Sequence, residues 1–523
     1  MPPSTVIMPG DFQTLAEVLR HQARSRATHP LLVCDGDRLG YADAERRSAE
    51  LACGLIALGA GKGTHVGLLY PNGTEFIVAM LAAARIGAVV VPFSTFATAR
   101  ELREQLVDSD VAILLSAPGF RSHDYAQRVA QVLGGCDLTL RSRLFATAAP
   151  HLRQVFIGEG PAGGPVDPGL VCALEDDVCG ADPLAIVYTS GSTAAPKGVV
   201  HTHAGLLGHQ QNLNRIRGLT ADEKLFCNSP FFWIGGFAFA LLATLVAGAT
   251  LVCSNASDPA VTLDLLEAEK PTMTNGFAAG IAALAQHPSV ASRDLSSMRR
   301  GNIYPIMALD TRPADPGLRH NMLGMTEAGS VVLIGDDESD QPEHRRGSFG
   351  KPAPGFQTLI VEPETGARVS VGGVGELCIR GPHVMQGYHK RSREECFDAD
   401  GWFHTGDLVR ADGDGYVYFI GRRSGMIKTA GANVSAAEVE KAIAKVAGAE
   451  AHVVGIPDPG RGQLVAAVVI DPDLDEATLR ERLITELSAY KIPKRFVALA
   501  RADLPLLSSG KVDSHRLKQL FDA

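Results

Sequence analysis

With 523 residues, 46% of them hydrophobic and 20% charged, the chain can bury a sizeable core and is not a disordered or peptide-like protein. Its 49 Lys and Arg against 58 Asp and Glu leave a formal net charge of −9, which argues against nucleic acid or an anionic membrane as the dominant partner but leaves room for a locally basic pocket. Gly 55 and Pro 30 suit many tight loops, and nine cysteines without a C-x-x-C pair suggest neither a disulfide framework nor a zinc ribbon.

The first residues, MPPSTVIMPGDFQ, lack the basic start and apolar run of a secretory signal, so a cytoplasmic protein is expected. A threonine cap and the spacing of Leu15, Val18 and Leu19 predict a helix over 14–27, followed by the strand LLVC at 31–34. Residues 65–93 read as strand, Asn-Gly turn, helix and strand, and ELREQLVDSD with VAILLS repeats the order, which predicts parallel β-α-β construction. A second region of this kind runs from about 183 to 360, with a helix-strand unit near 261–282.

Within it, residues 231–253 carry no charge and are long enough to span a membrane. Gly235, Gly236 and the GAT at 248–250 divide the run, and no basic cluster flanks it, so a loop, a buried helix and a strand are expected rather than a span or peripheral membrane contact. Short strands at 356–362 and 375–381 predict a β-rich subdomain. Beyond Gly421, a helix near 436–446, a strand at 464–470 and a helix at 476–489 predict a small mixed domain. The expected fold is α/β: a large composite body, 1–419, with parallel-sheet and β-rich subdomains, followed by a small mobile α+β domain, 420–523.

The chemistry starts at 184–200, LAIVYTSGSTAAPKGVV, where a buried strand gives way to Thr189, Ser190, Gly191, Ser192, Thr193 and Lys197. Hydroxyls, backbone N–H groups and one long cation are complementary to a polyphosphate. The G-x-x-x-x-G-K-S/T spacing of a Walker A loop is absent.

TSGSTAAPKG at 189–198 resembles the triphosphate loop of the adenylate-forming superfamily, especially acyl-CoA synthetases and ligases, with Ala194 in place of the usual glycine. Further motifs follow in the family's order over essentially the whole chain. NMLGMTEAG at 321–329 is similar to the adenine and magnesium motif, which implies Thr326 as a phosphate contact and Glu327 as the carboxylate supporting Mg2+; Leu323 replaces the common tyrosine. GWFHTGDLVR at 401–410 implies Asp407 as acceptor for the ribose hydroxyls, and IGRRSGMIK implies Arg422 as a nucleotide-holding arginine, with Ser424 at the hinge. LPLLSSGKVD at 504–513 implies Lys511 as the adenylation lysine, and KTAGANVSAAEVE at 428–440 implies Gly431 beside the pantetheine arm. Taken alone, the Thr-Glu pair could cap a helix, Asp407 could be a turn residue, and Arg422 and Lys511 could be solvated charges.

HTHAGL at 201–206 and SPFFWIGGF at 229–237 resemble acyl-side segments, which points to His203, Phe231, Phe232, Trp233 and Gly235; Trp233 stands where a histidine is common and favours an apolar wall. The clearest departure is 295–321, which lacks the family's S/G-G-A-P-L pattern. The resemblance implies an AMP-forming acid-thiol ligase that uses ATP, Mg2+ and coenzyme A to activate a hydrophobic carboxylic acid through an acyl adenylate, with no covalent protein nucleophile. An enzyme loading a separate acyl carrier protein and a catalytically weakened nucleotide-binding homologue are the alternatives. No interface is readable that would decide for or against a homodimer.

Overall fold

A computed structural model describes residues 12–135, 138, 143–164, 166–189, 197–276, 281–423, 426–505 and 512–522. Two sheets built by the predicted β-α-β units form the large body. One has the order Gly387–Tyr388, Lys197–Thr202, Pro183–Thr189, Val89–Pro92, His65–Leu69, Ile113–Ser116, Gln154–Ile157, parallel from Pro183–Thr189 onward, with Lys197–Thr202 antiparallel to both of its neighbours. The other has the order Arg300–Gly301, Met273–Asn275, Lys224–Cys227, Thr250–Cys253, Pro30–Cys34, Asp37–Gly40, with only the last antiparallel.

The helix Thr74–Arg85 is buried at every position except Glu75, because it lies in a core shared by strands of both sheets. Such a helix is apolar all round. Its one charged buried residue, Arg85, is matched by the Glu175 carboxylate and by Glu45 Oε1 at 2.7 Å. A buried guanidinium needs such partners.

The uncharged run at 231–253 is a loop, a short helix Ile234–Gly236, a π-helix Phe237–Leu242, a short helix Ala243–Ala247 and the strand Thr250–Cys253. Gly236 is required where it stands, since a Cβ would fall 2.0 Å from the Pro230 carbonyl oxygen. All of Phe237–Leu242 is buried in the protein's own core, and among the described residues no helix is long and apolar enough to cross a membrane.

A four-stranded antiparallel sheet, Gln357–Val361, Val374–Arg380, Phe403–Ala411, Val417–Arg422, forms the β-rich part. Its last strand pairs through Arg422, and the next strand, Met426–Thr429, belongs to another sheet, so sheet membership changes after Arg422, a short way past residue 419. The small domain has the strands Ala432–Ser435, Met426–Thr429, Gly462–Val469 and Ala451–Asp458, with Arg495–Ala498 parallel to Gly462–Val469. Strand alternation sends Val453, Val465 and Ala467 to the face covered by the helices Ala436–Ala447 and Glu476–Glu486, and Val454, Ala466 and Val468 to the face covered by Leu504, Val512, Leu517 and Phe521.

Candidate active site

A cavity of about 570 Å³ opens where the two large sheets, the strand Leu323–Met325 with the turn after it, and the small domain meet. Thr189 and Lys197 are register partners on antiparallel strands, so the described ends of the phosphate-type loop stand side by side. Ser190, Gly191, Ser192, Thr193 and Ala194 lie outside the described residues. Lys197 Nζ sits 5.0 Å from the centre of the Tyr388 ring, and the Tyr388 hydroxyl donates to Glu327 Oε1 at 2.8 Å. Burial above all, then the Arg391 guanidinium, lowers the Lys197 pKa, while Glu327 acts the other way. Burial and then Glu327 raise that of Tyr388.

Thr326–Ala328 is a single 3-10 turn after the strand Leu323–Met325, and Leu323 is buried within the apolar core. His201 Nε2 donates to the Thr326 carbonyl at 2.7 Å, and Met385 N–H donates to that of Glu327 at 2.9 Å. Burial holds the His201 pKa down to about 4, so the imidazole is neutral at pH 7 and acts as a fixed donor. These bonds fix the turn that aims Thr326 into the cavity and Glu327 toward Lys197.

Asp407 and Arg422 form an ion pair across the antiparallel ladder, with Asp407 wholly buried. The expected ribose acceptor therefore already has a cationic partner. Gly431 (φ +83°) turns the hairpin Met426–Thr429 to Ala432–Ser435 and lines the cavity with Lys428. Lys428 was not singled out from the sequence. Burial depresses its pKa, with Asp407 opposing and Arg422 assisting. Tyr388 was also missed, because it comes to lie beside Lys197 and Glu327 only through the antiparallel pairing of Gly387–Tyr388 with Val199 and Val200.

Among the residues that line the cavity are Phe232, Trp233, Ile234, Gly235, Phe239, Met325 and Val331, which make an apolar wall. Phe231 does not. It packs into the core against Phe76 at 5.4 Å and Phe237 at 6.4 Å between ring centres, because its N–H is held by Asn72 Oδ1 at 2.7 Å and turns the ring inward. His203 is a second correction: it opens the helix His203–Arg217, is fully buried, and its Nδ1 accepts the Leu15 N–H at 3.1 Å. Burial lowers its pKa to about 4, and it serves the packing of the first helix rather than the cavity. Asn302 and Asn321, from the departing segment and its edge, line the cavity together with Asn275.

Lys511 and Ser424 lie outside the described residues. The flanks of Lys511, Leu504 and Val512, pack on the small-sheet face opposite the helix Ala436–Ala447. Among the described residues no group of three His, Cys, Asp or Glu side chains is gathered to hold a metal. A lone carboxylate such as Glu327 fits Mg2+ only in the mode in which substrate phosphates complete the shell.

The fold and motif order match a known family. Residues 19–389 match the AMP-binding enzyme family and residues 438–511 its C-terminal domain. A feruloyl-CoA synthase from Amycolatopsis sp is 34% identical over 93% of this chain and 94% of its own. The 4-coumarate--CoA ligase 5 of Oryza sativa subsp. japonica is 30% identical over 91% and 88%. The solved amide bond synthetase from Marinactinospora thermotolerans superposes with a TM-score of 0.79 at 23% identity, covering 96% of this chain and 99% of that one, a likeness of fold. The chain belongs to the AMP-binding, adenylate-forming family. It is an enzyme of the acid-thiol ligase class, an AMP-forming acyl-CoA synthetase, and the use of ATP and coenzyme A is typical of this family and its CoA ligase members.

Proposed function

We propose that the chain activates a hydrophobic carboxylic acid as its acyl adenylate and passes the acyl group to coenzyme A, releasing pyrophosphate and then AMP. The observation that carries this reading is that one cavity is lined at once by the nucleotide-motif residues Thr189 and Thr326, by the apolar wall Phe232, Trp233 and Phe239, and by Lys428 and Gly431 of the small domain. Phosphate, acyl group and thiol can therefore converge on one carbonyl. The feruloyl and 4-coumaroyl relatives and the aromatic wall beside Asn275 and Asn302 favour an aryl acid with a polar substituent.

In adenylation, Lys197 and Thr189 hold the triphosphate, and Lys197 offsets the charge that builds as pyrophosphate leaves. Arg422, braced by Asp407, stands at the ribose side. Glu327 would hold Mg2+, which supplies further neutralisation of the phosphates. Lys511 would complete this half-reaction from the small domain. We divide the chain at the crossing after Arg422, with Ser424 as the pivot. The hairpin turn at Gly431 then leaves room for the pantetheine arm, and the sulfur attacks the acyl carbonyl while AMP departs. The reaction belongs in the cytoplasm, which supplies ATP and reduced coenzyme A.

The test is a panel of aryl and aliphatic acids with ATP and Mg2+, read by mass for acyl adenylate and acyl-CoA, with and without coenzyme A. Acyl-CoA from apolar acids supports the reading. Adenylate transferred only to a carrier protein, or no product from folded protein across the panel, overturns it.

A further inference from the structure

The small domain docks on the large one through a carboxylate that already has a local task. Glu101 closes the capping box of the helix Ala99–Asp108: its Oε2 accepts the Thr98 N–H at 2.8 Å, while Thr98 Oγ1 accepts the Glu101 N–H at 3.2 Å. Capping glutamates sit at helix ends, where water usually reaches them. Glu101 is 5% exposed.

Its further partners come from the small domain. Lys491 Nζ donates to Glu101 Oε1 at 2.7 Å and to Glu438 Oε1 at 2.8 Å. Ser488 Oγ lies 2.6 Å from Glu101 Oε2 and 3.0 Å from the Phe96 carbonyl. The neighbouring Arg100 donates to the Glu486 carbonyl at 2.6 Å and pairs with its carboxylate at 3.1 Å. Rings from both domains pack beside it, Tyr490 meeting Phe96 at 6.2 Å and Trp233 at 6.3 Å, and Glu101, Glu438 and Lys491 themselves line the edge of the cavity.

Lys491 is thus a nearly buried ammonium held between a carboxylate of each domain, 8% exposed itself. Burial is the largest influence on both Glu101 and Lys491 and opposes their charges, yet each stays ionised because the other, with Ser488 and Thr98 on one side and Tyr490 and Glu438 on the other, outweighs it. Withdrawing the small domain would leave Glu101 with its cap alone and Lys491 with Glu438 alone. The network is complete in the same arrangement in which the Gly431 hairpin lines the cavity.

We propose that Glu101, Ser488 and Lys491 are positioning residues that hold the small domain in its thioester-forming arrangement and let go for adenylation. The proposal rests on the two-step reading above. It differs from a merely structural role because the bonds cross between parts that must separate, so their loss should fall on one half-reaction.

The test uses the full chain and three variants: Glu101→Gln, which keeps a capping side chain and removes the charge, Lys491→Met, and the conservative Lys491→Arg. Adenylation is followed by acid-dependent ATP–pyrophosphate exchange, thioester formation from supplied acyl adenylate and coenzyme A, and docking by amide hydrogen exchange over 428–435 and 486–491. Glu101→Gln and Lys491→Met should lower thioester kcat about tenfold or more and speed amide exchange in both segments, while pyrophosphate exchange stays within about twofold. Lys491→Arg should recover most of the thioester rate. Equal loss in both half-reactions, or unchanged amide exchange, overturns the latch. Should Lys491→Met fail to fold, Glu101→Gln decides alone. Should the wild type form adenylate but no thioester with coenzyme A, the acceptor reading fails, and the amide exchange of Glu101→Gln still decides whether the latch exists.

Discussion

Asp407 and Arg422 face each other in register on neighbouring antiparallel strands, and Arg422 Nη2 also reaches Asp407 Oδ2 at 3.4 Å. The pair joins the last two strands of the β-rich sheet directly before the chain crosses into the small domain. Asp407→Asn should cost about 3–5 kcal/mol in chemical denaturation, since it strands a half-buried guanidinium. The double variant with Arg422→Met should recover part of that loss while KM for ATP stays raised. A single variant as stable as the wild type would contradict the pair's structural weight.

Lys197 is held below the ordinary lysine range by burial and Arg391. Its ammonium is the form that binds phosphate, so kcat/KM for ATP should be level near neutral pH and fall as pH rises through the lowered pKa, short of the ~10.4 of a free lysine. Lys197→Arg should move that fall out of range, and Lys197→Ala should cost about 100-fold in pyrophosphate exchange. Identical alkaline limbs for wild type and Lys197→Arg would assign the limb to another group.

Trp233 meets Phe232 at 5.5 Å and Phe96 at 6.3 Å and forms part of the apolar wall of the cavity, the proposed acyl side. Trp233→Ala should enlarge the pocket and shift the ratio of kcat/KM values toward bulkier acids by about tenfold. An unchanged ranking across the acid panel would place the acyl group elsewhere.

Gly431 and Lys511 should separate the half-reactions in opposite directions. At φ +83° a side chain is strained by about 1–3 kcal/mol and would project beside the thiol path, so Gly431→Val should slow thioester formation from supplied adenylate and spare pyrophosphate exchange. Lys511→Ala should do the reverse. Parallel losses in both assays would contradict the assignment.

Much of the fold was legible because the signals are local. Alternating apolar strands and a helix between Asn72 and Val89 can only be buried on both sides, and the capped helix that begins at Leu15 follows its own spacing. The 231–253 run shows the limit. Its apolar character marks burial, but the π-helix at Phe237–Leu242 is a matter of how the segment fits between neighbours. The candidate site divides in the same way. Phe231 and Phe232 are adjacent and chemically identical, and only the Asn72 side chain, distant in sequence, decides that one enters the core and the next the cavity. His203 was expected on the acyl side, yet it is buried against the first helix.

By itself the sequence determined the family, the order of the nucleotide motifs, the α/β class and the existence of a small domain after the β-rich strands, since each rests on residue type and spacing along the chain. Only the tertiary structure decided which aromatic rings line the cavity, that Asp407 and Arg422 pair, that Tyr388 links Lys197 to Glu327, and that Lys491 finds Glu101. Those relationships join residues far apart in the chain, and a carboxylate's partner or a ring's neighbour is set by which strands pair and which faces pack, not by the residues beside it.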